Sequence, residues 1–422
     1  MQVHIRKARV IDPQSKYHDK IVDLLIEDGI IINIAASIKS DADTVIEGKG
    51  LHISPGWVDV FADYREPGFE HKETIASGLA AAAAGGFTDV LLSPGTQPAL
   101  STKSIIQYVL QKAGGNIVGL HPIGAATQNT DGKDLAEMLD MRENGAIAFS
   151  DGWKPIQNAN LMLKALEYVK AFNGTVIQIP IDATLSSGGL MNEGIISTGL
   201  GMAGIPALAE TIMVHRDIEL VRYTGSKLHF TGISTTESVE MIRKAKAEGL
   251  TITCSVTPYH LALTDESLTG YDSIYKVAPP LRSETDRLAL IEGLKDGTID
   301  CIASHHRPHE WDAKAKEFEY AADGMAVQEI TFNILWDTLK EYLTIERLVE
   351  ALAIIPRDIF GLESWEIKKG NKAGITIFST GGDHTLSLDN IKSLSRNNPF
   401  IGKKLSGKVV GIINNDQLYL NK

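Results

Sequence analysis

Cysteine is nearly absent from this sequence: Cys254 and Cys301 are the only two in 422 residues. Both lie in apolar, strand-like runs, Thr251 to Val256 and Ile299 to Ala303. Buried, inert thiols are expected there, and no disulfide framework is implied. No uninterrupted apolar run approaches the ~20 residues that a membrane-spanning helix needs. The opening Met1-Gln2-Val3-His4 has no charged-then-apolar leader, so the cytoplasm is the expected compartment. Positive charge is also in deficit. Lys and Arg total 41 against 53 Asp and Glu, a formal net charge of -12. That balance argues against broad affinity for nucleic acid or anionic membranes. Low-complexity segments are lacking too, as is any repeat beyond strand–helix alternation.

What is present is an ordinary folded composition, 43% hydrophobic and 22% charged, ample for a large core. Residues 1–51 read as short strands. Ile21 to Ile26 and Ile30 to Ile34 flank Glu27-Asp28-Gly29, and Asp-Gly between apolar runs is a strong hairpin signal. Residues 365–422 have the same character, with strands at Gly374 to Phe378 and Lys408 to Ile413 and a turn at Asn414-Asn415-Asp416. The two ends together predict one small β-sandwich domain.

The middle, 52–364, alternates strands with helices. Expected strands are Ile53 to Phe61, Thr88 to Leu92, Ile117 to His121, Ala146 to Ser150, Thr175 to Ile179, Lys227 to Phe230, Thr251 to Val256 and Asp300 to Ser304. Helices are expected between them, at Ile75 to Ala84, Asn160 to Phe172 and Ser234 to Glu248. The last opens on Ser-Thr-Thr-Glu, which has N-cap character, and stops at Gly249. Eight such units predict an α/β fold, a (β/α)₈ TIM barrel, with an open doubly wound sheet as the alternative. In such a barrel the active site gathers at the C-terminal ends of the strands.

The end of the first strand carries Pro55-Gly56-Trp57-Val58-Asp59-Val60-Phe61-Ala62-Asp63-Tyr64-Arg65-Glu66-Pro67-Gly68. It resembles the amidohydrolase signature Pro-Gly-x-Val-Asp-x-His-x-His-x-Arg-x-Pro-Gly, and the Arg-Glu-Pro-Gly ending is similar to that of the dihydroorotases. Gly68 to Thr74, Gly85-Gly86-Phe87-Thr88, Thr257-Pro258-Tyr259-His260-Leu261, Pro279-Pro280-Leu281-Arg282 and Asp296-Gly297-Thr298-Ile299-Asp300 extend the resemblance over the whole chain. It implies a TIM barrel that hydrolyses dihydroorotate reversibly to carbamoyl aspartate in pyrimidine synthesis. One or two zinc ions would activate water, and an aspartate on the last strand would act as base.

Position by position, the resemblance fails where that chemistry sits. The His-x-His pair, whose i and i+2 spacing points both imidazoles to one side, is replaced by Phe61 and Asp63. Gln178 stands near the fifth-strand histidine and Gly232 replaces the sixth-strand one. His305 occupies the general-base position, in Ser304-His305-His306-Arg307-Pro308-His309. Asp151 alone keeps the family's residue type, and a turn cap is its other reading. A phenyl ring and a glycine offer no lone pair, and an amide is a poor zinc ligand. Asp63, Asp151 and His305 remain the candidates if any metal binds. Arg65 and His309 match the residues that hold the substrate carboxylate, with a structural ion pair as the other reading of Arg65. The family's carboxylate-holding asparagines are lost at Gly95 and Ala278. Pro308 to Gly324 corresponds to the family's mobile lid, or reads simply as an exposed amphipathic helix.

No intact catalytic set is expected, and no cofactor. The leading expectation is an inactive dihydroorotase homologue acting as a structural or regulatory partner, for instance of aspartate transcarbamoylase, or self-associating. One alternative is an active hydrolase using zinc at a rearranged site. The other is a non-catalytic binder of a small carboxylate.

Overall fold

A computed structural model describes residues 1–421. Eight parallel strands follow one another in chain order around a barrel. They are Trp57–Ala62, Phe87–Leu92, Gly119–Gly124, Ala148–Phe149, Thr175–Gln178, Lys227–Thr231, Ile252–Val256 and Cys301–Ile302. Closure comes from the chain just beyond the eighth strand. Ala62 bridges His306 in parallel, Asp63 N donates to His306 O at 2.9 Å, and His305 N donates to Phe61 O at 3.1 Å. The TIM barrel expected from strand–helix alternation is therefore the fold of the central region.

The expected helices form, with starts at Ile75, Ala159 and Thr236. Thr74 caps Ile75–Ala84 by accepting from Ser77 N, Asn158 caps Ala159–Lys170 through Leu161 N, and Thr235 caps Thr236–Ala247 through Ser238 N. The Ala-rich first helix packs tightly. A Cβ on Gly78 would lie 2.3 Å from the Tyr64 ring. One apolar core fills the space between strands and helices, and a second lines the barrel interior with Val58, Val60, Phe61, Leu91, Ile123, Ile177 and Phe360.

The terminal strands join one continuous eight-stranded sheet. Ile21–Glu27 and Ile30–Ala35 form the expected hairpin, and Ile375–Thr385 pairs antiparallel with Lys404–Asn414. The run expected as a single strand from Ile53 to Phe61 is split. Leu51–Pro55 pairs with Ile375–Ser379 in the terminal sheet, and the barrel strand begins at Trp57. Gly56 makes the crossing. Its N–H donates to Gly374 O at 2.8 Å, and a Cβ there would lie 2.2 Å from Thr88 Oγ1.

Two parts of the fold reach the barrel mouth from outside the strands. The segment linking the last two long strands of the terminal sheet runs over it, placing Ser393 to Asn397 against Glu73, Lys72 and His309. Pro308 to Gly324 also crosses it. Only Trp311–Lys314 in that segment is helical, so it is not the amphipathic helix that its charges suggested.

Candidate functional site

The strand ends converge on a stack of rings where the resemblance predicts metal ligands. Phe61 is fully buried and belongs to the apolar barrel interior. Its ring centroid lies 5.0 Å from His305 and 5.5 Å from Trp153, with Trp153 5.2 Å from His305. The Arg307 guanidinium sits 4.3 Å over the Trp153 ring. Each contact of this kind contributes about 0.5–1.5 kcal/mol beyond simple burial.

His305 takes a left-handed backbone, φ 47, directly beside the closing bridge. Its Nε2 pairs with Thr231 Oγ1 at 2.7 Å, and its buried Nδ1 has no partner. Burial, with the charge of Arg307 adding to it, holds the imidazole far below its ordinary range. Lowering an imidazole's pKa by burial makes it a weaker general base. Gly232 explains why the ring fits. A Cβ at Gly232 would lie 2.5 Å from His305 Cε1, so the His305 ring occupies the room that a side chain at 232 would need.

Asp63 is fully buried and its carboxylate is already engaged. It accepts from Arg65 N at 3.1 Å and Trp153 Nε1 at 3.1 Å, and pairs with Arg65 Nη1 at 3.2 Å. Arg65 is thus an ion-pair partner in this structure, with its Nε buried and unpartnered. Asp151 neither faces the ring stack as a ligand nor caps the turn after it. Its two oxygens accept from Thr127 N at 2.8 Å and Thr127 Oγ1 at 2.5 Å, and burial raises its pKa. Gln178 is spent on backbone and carboxylate. It accepts from Ile156 N at 3.3 Å and donates to Ile156 O at 3.3 Å and Asp217 Oδ2 at 3.4 Å.

His309 is turned to the segment Pro308 to Gly324 that crosses the mouth. A carbonyl only accepts, so its Nε2–H donates to Asp323 O at 2.9 Å, leaving Nδ1 3.5 Å from Lys72 Nζ. Burial, with Arg307, Arg65 and Lys72 nearby, depresses its pKa to about 2. His306 points outward from the stack to Glu73 at 3.3 Å, so His305-His306-x-x-His309 is not a joint ligand set.

Zinc requires three or four thiolate, imidazole or carboxylate donors at roughly 2.0–2.3 Å. Phe61 and Gly232 bring no donor atom, and the donors of Asp63, Asp151, Gln178 and His305 face different partners. Among the described residues, no three His, Cys, Asp or Glu side chains are grouped to hold a metal. The residues present do not fit the zinc that the resemblance implies. Cys254 and Cys301 are buried and free, as the sequence predicts.

Trp153 was not singled out from sequence, although it is the centre of the stack. A signal existed. The family's Phe-Ser-Asp-Asp-Gly is followed here as Phe149-Ser150-Asp151-Gly152-Trp153, which puts a large ring beside a site that had gained Phe61. Thr231, Ser93 and the Ser393–Asn397 segment carried no such signal.

A family model described as "Dihydro-orotase-like" matches residues 50–238. A dihydroorotase of Syntrophus aciditrophicus is 41% identical over 414 residues, 97% of each chain. One from Acetivibrio thermocellus is 41% identical over 408 residues, 96% of each. Among solved structures, the L-hydantoinase (dihydropyrimidinase) from Arthrobacter aurescens superposes with a TM-score of 0.87 at 22% identity, covering 100% of this chain and 96% of that one, which speaks to fold alone. With two-fifths of residues shared along nearly the full length of both chains, this protein belongs to the dihydroorotase family.

Proposed function

We propose that this member of the dihydroorotase family does not hydrolyse dihydroorotate. It works instead as a structural or regulatory partner, with aspartate transcarbamoylase the first partner to test and self-association the other assembly. The observation that carries the reading is the ring stack itself. Phe61, Trp153 and His305 lie within 5.0–5.5 Å of one another where hydroxide activation would need an open metal position. The test is elemental analysis of the untagged protein, with dihydroorotate hydrolysis assayed on the same sample. Zinc well below one per chain and no turnover above the blank are expected. Stoichiometric zinc, with turnover that collapses in His305→Ala, would select the rearranged active site instead. Co-elution with purified aspartate transcarbamoylase checks the partner.

A second reading, a non-catalytic carboxylate binder, is favoured by one observation. The Nε atoms of Arg65 and Arg307 are buried without partners. Calorimetry with dihydroorotate and with carbamoyl aspartate separates this reading from a pure scaffold. Heat of binding without turnover supports the binder; no heat and no thermal shift remove it.

A further inference from the structure

Lys276 and Lys314 are both buried, each 7% exposed, yet their acceptors are backbone carbonyls. Lys276 Nζ donates to Phe318 O and Glu319 O, both at 2.9 Å. Lys314 Nζ donates to Lys276 O at 3.0 Å and to Ala322 O at 2.8 Å. Each amine therefore grips the backbone of the segment that carries the other. Gly324 N also donates to Lys276 O at 3.0 Å, and Ser273 Oγ to Lys314 O at 2.5 Å, so the clasp joins Ser273–Lys276 to Trp311–Gly324.

The clasped segment lines two cavities. On one side, about 970 Å³ opens above Trp153, bounded by Lys276, Glu319, Tyr320 and Asp323. On the other, about 600 Å³ is bounded by His309, Trp311, Lys314 and Asn397.

We propose that the reciprocal lysine clasp is a latch on this lid, and that protonation of Lys314 loosens it. An ammonium ion is costly where it has only carbonyl dipoles and no paired carboxylate. The charges facing Lys314 divide. Lys276 and Arg307 oppose its proton, whereas Asp323 and Asp272 favour it, and burial outweighs them all, bringing it to about 7. Burial lowers Lys276 too, against Asp323 and Glu319. The closed lid therefore prefers a neutral Lys314 and the open lid a charged one. Closure is strongest above the amine's ordinary pKa of 10.5, weakens as pH falls towards about 7, and levels off below it. This inference does not depend on whether the barrel is catalytic.

The test is amide hydrogen exchange of residues 311–324 in the full chain between about pH 7.5 and about pH 9.5, corrected for intrinsic rates. Protection should fall with acidification by up to about 100-fold across that window, one proton being linked to opening. Lys314→Met should flatten the profile, while amides in the barrel strands keep theirs. A flat profile in the unmodified protein overturns the proposal. So does an unchanged slope in Lys314→Met or, should that variant not fold, in Lys314→Gln.

Discussion

The centre and the rim of the barrel mouth handle buried polar groups differently. At the rim, carboxylates are crowded with donors. Glu210 accepts from Ser234 N at 3.0 Å, Thr235 N at 3.1 Å, Thr235 Oγ1 at 3.0 Å and the Ser234 hydroxyl. Glu73 gathers Ser77, Ser393, Leu394 N at 3.1 Å and His306 at 3.3 Å. At the centre Asp63 is paired, but Arg65 Nε, Ser93 Oγ, His305 Nδ1 and Arg307 Nε are buried with no partner, and rings do much of the packing. The rim fixes where the strand ends lie. The centre, where the resemblance predicts donors, can exchange them for aromatic side chains without moving that frame.

The largest expected effect is on the response of the barrel's buried imidazoles to acid. Burial depresses His229 to about 3, His260 to about 4, His309 to about 2 and His305 well below its ordinary value. A folded-state pKa below the unfolded one means that unfolding takes up protons. Stability is therefore full above about pH 6.5 and falls on acidification, each imidazole contributing up to about 1.4 kcal/mol per pH unit. Urea midpoints measured from about pH 7 to about pH 4.5 check this. A flat series would mean that these rings are not held neutral.

Next comes the rim itself. Glu210→Ala strands four donors, and a loss of about 3 kcal/mol or more is expected in urea unfolding. A loss below about 1 kcal/mol would erase the contrast between rim and centre. At the centre, Gly232→Ala meets both a left-handed backbone, φ 75, and the His305 ring, for an expected loss of about 2 kcal/mol. Adding His305→Ala should return the clash portion and leave the backbone portion, which a double-mutant cycle resolves. Trp153→Phe keeps a ring in the stack and removes one donor to Asp63, for about 1 kcal/mol. The smallest effect is on metal content. Phe61→His supplies one imidazole to a centre without companion ligands, so zinc per chain should not rise. Stoichiometric uptake would mean that the centre retains a hidden ligand set.

Much of the frame was legible because local signals decide it. The hairpin at Asp28-Gly29 and the cap at Thr235 need only neighbours in sequence. Strand ends were harder where side chains replace the ladder. The strand expected from Asp300 to Ser304 is only Cys301–Ile302. Asp300 turns its carboxylate to Cys254 N at 2.8 Å, and Ser304 N donates to Asp59 Oδ1 at 2.9 Å. In the candidate site, the lost donors at Phe61, Gln178, Gly232 and His305 could be read residue by residue. What replaced them could not. The stack depends on Trp153 folding over from another strand end, and the fit of His305 depends on space left at Gly232. Both are facts of packing between distant segments, without periodicity or spacing to announce them.

The strand Leu51–Pro55 has a further consequence, in time rather than space. One of its edges pairs with Ile375–Ser379, and just beyond it Trp57 N donates to Thr376 Oγ1 across 319 residues. A ribosome adding about 5–20 residues per second needs tens of seconds to cover that distance. Until then the nascent chain carries an open strand edge, the kind of surface on which other chains assemble. Slow or stalled synthesis beyond the barrel therefore prolongs the interval in which that edge stays unpaired.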